Sequence, residues 1–340
     1  MQRTTVMLLF GGESSEHTVS ISSARNVFAA LDDTKYDVIL GYIDKEGQWW
    51  LLDNMIDQID VIGLPQLLPV LGSGGFITIP NTEVIKPDVI LPILHGVNCE
   101  DGKIQGLANL LHTPIVGSGV EASSVAMDKV TTKQLLEYNG IHTVPFEVHT
   151  IGNTYLSFRQ LSEKLGSSLF IKPANEGSSV GVSMVTNDEE LSAALTIAHK
   201  FDKKVLIEKA IKGRELEVAV LGSGKNVRIS RVGEIIADRD FYDFDSKYDT
   251  SSQSKVVMAD LPDETSEKLR EITKKAYSII GCEGLARVDF FLSKENEIYL
   301  NEVNTLPGFT NISQYPKLWR HEGLTYSALV DALISDALEK

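Results

Sequence analysis

Thr5-Val6-Met7-Leu8-Leu9-Phe10-Gly11-Gly12 (residues 5–12) is a short, almost wholly apolar run stopped by two glycines. An unbroken apolar run of strand length reads as a strand buried on both faces, and the glycines as the turn that ends it. Beyond the turn, Val19, Ala24, Val27 and Phe28 recur at helical spacing across 16–31. Residues 36–43 form a second strand, and 88–94 (DVILPIL) another that runs into His95-Gly96. Strands alternating with helical periodicity predict a parallel sheet of the α/β class. This first unit closes near Gly117-Ser118-Gly119, giving a domain over 1–120.

Downstream the pattern changes to α+β. A helix over 128–138 ends at Asn139-Gly140, and a strand over 168–172 leads into a Gly/Ser loop. A strand over 180–185 pairs back, Asn187 caps a helix that runs to 199, and 205–208 is a further strand. These form a small domain over 121–207. The remainder, 208–340, contains strands over 215–221, 285–292 and 298–303, with helices over 264–280 and from 326 onward. Within it, 233–255 is polar, rich in Asp and Ser, and without clean periodicity. A loop of that length is more often functional than filler.

The chain has 340 residues, enough for two or three cores. Its formal net charge of −15 excludes a broad basic footprint for nucleic acid. The two cysteines, Cys99 and Cys282, read as reduced thiols of a cytoplasmic protein and are too few for a zinc site built from cysteine. No targeting segment is visible, and no apolar run approaches the ~20 residues of a membrane span.

Arg287-Val288-Asp289 and, on the next strand, Asn301-Glu302-Val303-Asn304 carry the strongest chemical signal. Side chains alternate across a strand, so Arg287 and Asp289 share a face, as do Glu302 and Asn304. Two adjacent strands would then present two carboxylates, an amide and a guanidinium to one site. The oxygens suit Mg²⁺, and the arginine suits a developing oxyanion or a phosphoryl group. A surface ion-pair ladder across a hairpin would use the same residue types.

Lys172 ends a strand, and Gly177-Ser178-Ser179 follow it. Such a loop can bring backbone N–H groups close to phosphate oxygens, although the GxxxxGK[ST] spacing of a P-loop is absent and a plain hairpin turn fits equally. Residues 205–211 (VLIEKAI) read as a core strand or as backbone offered to an adenine. The turn at 11–16 precedes a helix start that could hold an anion. Glu13 and Glu16 would repel phosphate, however, and better suit a helix cap or the ammonium of a substrate.

Taken together, the strings GGESSEHTVS (11–20), LHGVNCEDGKIQG (94–106), VGSGVEASSVAMDK (116–129), FIKPANEGSSVGVS (170–183), VLIEKAIKGRELEVAVLG (205–222), FYDFDSKYD (241–249), ARVDFF (286–291) and NEVNTLPGFTNIS (301–313) resemble the D-alanine–D-alanine ligases over nearly the whole chain. That resemblance implies an ATP-grasp fold of three domains, with ATP between the central domain and the C-terminal domain (208–340), and a lid over 233–255. It implies two Mg²⁺ ions, with Mn²⁺ able to substitute, on Asp289, Glu302 and Asn304. Lys129 and Lys172 would meet the ATP phosphates, Lys247 the γ-phosphate, Glu215 the ribose, and the stretch with Glu208, Lys209 and Ile211 the adenine.

The same resemblance implies that two D-alanines are joined through an acyl phosphate, for peptidoglycan precursors. Glu16 would grip the first ammonium, in a network with Ser178 and Tyr248. Arg287 and the Gly308 N–H would stabilise the oxyanion, and Ser313 would meet the second carboxylate. His95 would assist substrate binding or serve structure. Lys247-Tyr248 favours an amine acceptor, which leaves D-serine ligation, or another ATP-grasp carboxylate–amine ligation, as the alternative. A homodimer is the expected assembly. Ala210, Gln314 and Cys99 depart from the commonest family pattern.

Overall fold

The computed structural model describes residues 3–56, 58–236 and 255–340. Its first sheet has seven strands: β1 (Thr4–Gly11), β2 (Tyr36–Ile43), β3 (Trp49–Leu52), β4 (Gln66–Val70), β5 (Gly75–Ile79), β6 (Val84–Ile85) and β7 (Val89–Ile93), in the order β6-β5-β4-β3-β2-β1-β7. Only β1 pairs in parallel, with β2 on one side and β7 on the other; the remaining pairs are antiparallel. The sheet is therefore mixed, not parallel throughout as the strand–helix alternation predicts. The cause is a tight turn after β2. The Asp44 carboxylate accepts from the amides of Glu46 (3.0 Å) and Gln48 (2.8 Å) and from Trp50 Nε1 (2.8 Å), which sends β3 straight back.

Alternation along β1 divides its buried side chains between two cores. Val6, Leu8 and Phe10 pack in a cluster with the last helix, Tyr326–Leu338; Met7 and Leu9 pack in another with the helix Lys103–Leu111. At the end of β1, Gly11 adopts φ 98°, and a methyl group there would lie 2.0 Å from the Ile43 carbonyl oxygen, so only glycine fits. The helix His17–Ala30 starts directly after this turn.

The second sheet is antiparallel and four-stranded: β8 (Phe146–Thr150), β9 (Leu169–Pro173), β10 (Ser183–Val185) and β11 (Lys204–Lys209), ordered β10-β9-β11-β8. The strand expected over 180–185 is shortened to its last three residues. Val180 N–H and Val182 N–H are committed to turns, on Gly177 O and Ser179 O. The helix Asp188–Ala198 is capped by Asn187, as its sequence suggests.

The third sheet holds β12 (Gly213–Leu221), β13 (Arg228–Ile229), β14 (Gly233–Ile236), β15 (Lys255–Met258), β16 (Leu285–Ser293) and β17 (Ile298–Asn304), ordered β15-β14-β12-β16-β17 with β13 against β12. Both ends of the loop expected over 233–255 are strand, because Gly233–Ile236 pairs with Lys255–Met258. Its middle, 237–254, with Lys247 and Tyr248, lies outside the described residues. The helix Asp263–Ile280 covers this sheet through Leu269, Thr273, Ala276, Tyr277 and Ile280 and ends on Gly281 at φ 77°.

Candidate active site

One cleft is lined by the segments that follow β1 and β7, by the end of β9 and the loop after it, and by β12, β16 and β17. Its floor is built by register. Glu217 stands opposite Asp289 and Asp289 opposite Glu302, while Ala219, Arg287 and Asn304 form the neighbouring row. Arg287 donates from Nε and Nη2 to the two Asp289 oxygens at 2.7 Å each, and Asn304 Nδ2 donates to Asp289 at 3.0 Å. Arg287 Nε also lies 3.3 Å from Glu217 Oε1. The Arg287, Asp289 and Glu217 side chains are only 12%, 14% and 3% exposed, so this is an enclosed wall and not a surface ladder. Burial opposes the guanidinium charge, but Asp289 and Glu217 outweigh it and hold the Arg287 pKa well above its ordinary value.

Lys172, at the end of β9, enters the cleft from the second sheet. Its Nζ is 2.6 Å from Glu208 Oε2, and the fully buried Lys133 holds the other Glu208 oxygen at 2.8 Å. Burial alone would raise the Glu208 pKa, yet the two ammonium groups bring it down to about 2. Burial likewise disfavours the Lys172 charge, but Glu208, then Glu302 and Glu215, raise its pKa.

The loop after β9 is anchored by Asn175, whose N and Nδ2 donate to Asp202 at 2.8 and 2.7 Å. Ser178 (φ 49°) and Ser179 (φ 60°) then adopt left-handed conformations, each costing roughly 1–2 kcal/mol for a residue with a Cβ. Strain of this kind collects at functional sites, and both serines line the cleft. Lys129 is the first residue of the helix Lys129–Tyr138, which Asp128 caps by accepting from Val130 N and Thr131 N. Its Nζ donates to the Glu176 carbonyl in the same loop.

Glu16 occupies the N-cap of His17–Ala30 without making a side-chain capping bond. Its carboxylate turns into the cleft instead, where a methyl group on Gly177 would sit 3.8 Å from Oε2 and one on Gly96 3.7 Å. His95 is buried behind it, with Nδ1 3.7 Å from Glu100 Oε1, too far for a hydrogen bond. Burial would lower the His95 pKa, but Glu100 and Glu16 raise it; burial in turn raises that of Glu100. On the far side, Ser313 Oγ accepts from Thr310 N at 3.0 Å and shares a 2.7 Å hydrogen bond with Thr310 Oγ1. Gly308 lies against it, so that a methyl group there would come within 2.9 Å of Ser313 Oγ.

Glu16, His95, Lys129, Lys172, Ser178, Glu215, Arg287, Asp289, Glu302, Asn304, Gly308 and Ser313 thus share one cavity. Glu208, Lys209 and Ile211 do not line it; the amides of Lys209 and Ala210 are bonded to Pro145 O and Ser168 O. Among the described residues, seven carboxylates line the cleft against three Lys or Arg side chains. A polyphosphate could settle there only with added positive charge. No three His, Cys, Asp or Glu side chains among the described residues form a metal cage. The facing carboxylates Asp289 and Glu302 are oxygen donors of the kind Mg²⁺ takes one or two at a time, completing its shell with phosphate oxygens and water.

Models of the D-ala D-ala ligase N-terminus and C-terminus match residues 5–118 and 135–335. The chain belongs to the D-alanine–D-alanine ligase family. It is 45% identical to D-alanine–D-alanine ligase A of Escherichia coli K12, over 100% of this chain and 97% of that protein. The VanG D-Ala:D-Ser ligase of Enterococcus faecalis superposes with a TM-score of 0.89 at 34% identity, covering 98% of this chain and 99% of that one. The Bacillus anthracis D-alanine–D-alanine ligase complexed with ATP gives 0.77 at 31% identity, covering 100% and 98%. The fold is therefore the ATP-grasp fold of this ligase family.

The cleft also contains Glu100, Glu176 and Glu217, which sequence reasoning did not single out. Glu217 was within reach of the same alternation that groups Arg287 with Asp289, since it lies two residues from Glu215 on β12. Cys99 packs among Met7, Leu9, Leu94 and Ile104; burial pushes its thiol pKa far up and makes it a small apolar filler.

Proposed function

We propose that this chain joins two D-alanines into D-alanyl-D-alanine, with cleavage of ATP to ADP and phosphate, for peptidoglycan precursor synthesis. The observation that carries the reading is that the full-length ligase match coincides with one cleft holding Glu16, Lys172, Arg287, Asp289, Glu302 and Ser313 together. Asp289, Glu302 and Asn304 are suited to hold two Mg²⁺ ions, which when bound would neutralise the triphosphate. The domains are assigned to 1–120, 121–207 and 208–340, and the assembly is taken to be a cytoplasmic homodimer, on family resemblance.

In this scheme Glu16 holds the ammonium of the first D-alanine, and Ser178 orients it. The substrate carboxylate attacks the γ-phosphorus, the bond to the β,γ-bridging oxygen breaks, and ADP leaves from an acyl phosphate. Lys129 and Lys172 position the phosphates, which is most of what phosphoryl transfer requires of a protein. The neutral amine of the second D-alanine, held through its carboxylate by Ser313, then attacks the acyl carbon. Arg287 and the Gly308 N–H stabilise the oxyanion; phosphate departs and the nitrogen loses a proton. Glu215 is assigned to the ribose, the segment Glu208–Ile211 to the adenine, His95 to substrate support, and Lys247 and Tyr248 to the closing lid.

The test is phosphate release with ATP and Mg²⁺, first with D-alanine alone and then with D-serine or D-lactate added, products being identified by mass. Phosphate and D-alanyl-D-alanine from D-alanine alone are expected. Product only with D-serine added would favour the D-alanine–D-serine reading, to which the likeness to VanG also points; product only with D-lactate would be a depsipeptide and would overturn both amine-acceptor readings. No product under any condition would overturn both.

A further inference from the structure

Lys133 lies on the helix Lys129–Tyr138, one turn beyond Lys129, and is 1% exposed. A lysine this deeply enclosed is expensive unless its charge is paired. Its Nζ sits 2.8 Å from Glu208 Oε1, 3.4 Å from the Val144 carbonyl oxygen and 5.7 Å from the centre of the Phe146 ring. The second Glu208 oxygen is 2.6 Å from Lys172 Nζ. Lys172 faces the cleft, whereas Lys133 and Glu208 do not line it. One carboxylate is therefore shared between two ammonium groups, and the surplus positive charge of the cluster emerges at Lys172.

We propose that Lys133 is a positioning residue that shares the Glu208 charge from behind and so leaves a net positive charge at Lys172 for a nucleotide phosphate. The inference rests on the reading above that Lys172 meets phosphate. Without Lys133, Lys172 becomes the internal counter-ion of Glu208, and the buried cluster presents no net charge to the cleft. Glu302 and Glu215 also draw on Lys172, so the cleft wall would then lean further toward negative and repel phosphate. Burial lowers the Lys133 pKa while the Glu208 charge opposes the fall.

The quantity that isolates this role is the ratio of dissociation constants for adenosine and ADP, measured by calorimetry, because contacts to adenine and ribose cancel in it. Lys133→Met should lower that ratio about tenfold, equivalent to ~1.4 kcal/mol. The double variant Lys133→Met/Glu208→Gln restores a single net positive charge and should return the ratio to within about threefold of wild type. A merely structural Lys133 would show no such rescue. Should Lys133→Met not fold, the charge-balanced double variant carries the test alone, and a tenfold loss in it overturns the proposal. An unchanged ratio in folded Lys133→Met, alongside a lowered one in Lys172→Met, overturns the role of Lys133 only. An unchanged ratio in Lys172→Met overturns the phosphate assignment of Lys172, and the inference with it.

Discussion

Gly308→Ala should damage the acceptor side of the site by a steric route that the structure makes quantitative. The added methyl group would lie 2.9 Å from Ser313 Oγ, roughly half an ångström inside an ordinary carbon–oxygen contact of about 3.3–3.6 Å. The hydroxyl has little room to yield, since it is buried and held by Thr310 N at 3.0 Å and Thr310 Oγ1 at 2.7 Å. Moving it by that amount stretches the longer bond to the edge of hydrogen-bonding range, worth about 1 kcal/mol. Overpacking a buried contact costs about 1–3 kcal/mol in all. If the strain falls on the position where Ser313 meets the second D-alanine, kcat/KM for the acceptor drops by about 10- to 100-fold, at 1.36 kcal/mol per decade. Steady-state phosphate release over a D-alanine series, with a thermal melt of each variant, reads both quantities. Adding Ser313→Ala leaves only its Cβ at 3.5 Å but orphans the Thr310 N–H, so turnover stays low and, measured against Ser313→Ala alone, Gly308→Ala should cost little further stability. A Gly308→Ala enzyme within about threefold of wild-type turnover, less than 1 kcal/mol on the barrier, would exclude a clash at the acceptor site.

Glu302→Ala removes one of the paired carboxylates on the cleft floor and should abolish nearly all turnover while leaving the fold intact by circular dichroism; retention of more than about a tenth of the rate, roughly 1.4 kcal/mol, contradicts the metal-ligand role. Asp128→Ala removes the cap of the helix that begins at Lys129, and should cost about 1 kcal/mol in urea unfolding together with a raised KM for ATP; an unaltered KM would separate the cap from the site. Glu208, with its pKa lowered from 4.5 to about 2, binds fewer protons folded than unfolded between those values, so its contribution is present above pH 4.5 and lost as pH falls toward 2. The stability gap between wild type and Glu208→Gln should therefore shrink on going from pH 6 to pH 2.5, by up to roughly 3 kcal/mol; a constant gap rules out the buried carboxylate.

What the chain discloses in one dimension is whatever obeys a local period. The buried β1, the Asn187 cap and the helix ended at Gly281 follow from such rules, as does the pairing of Arg287 with Asp289 on one face. The antiparallel arm of the first sheet escapes them, because it depends on one carboxylate, Asp44, drawing three donors around a turn. The strand ends of the 233–255 stretch escape as well, since Gly233–Ile236 and Lys255–Met258 are short and acquire their identity only by pairing with each other. The Glu208 cluster shows the limit most sharply. Periodicity marks Val205 to Ile207 as core and leaves Glu208 as the polar end of a strand. Its charge state, and with it the electrostatic meaning of Lys172, is set by Lys133, a residue 75 positions away on a helix of another segment. A lysine one turn beyond Lys129 looks in sequence like an ordinary solvated helix residue. Only packing shows that it is enclosed, and only the shared carboxylate shows why a charge is kept there.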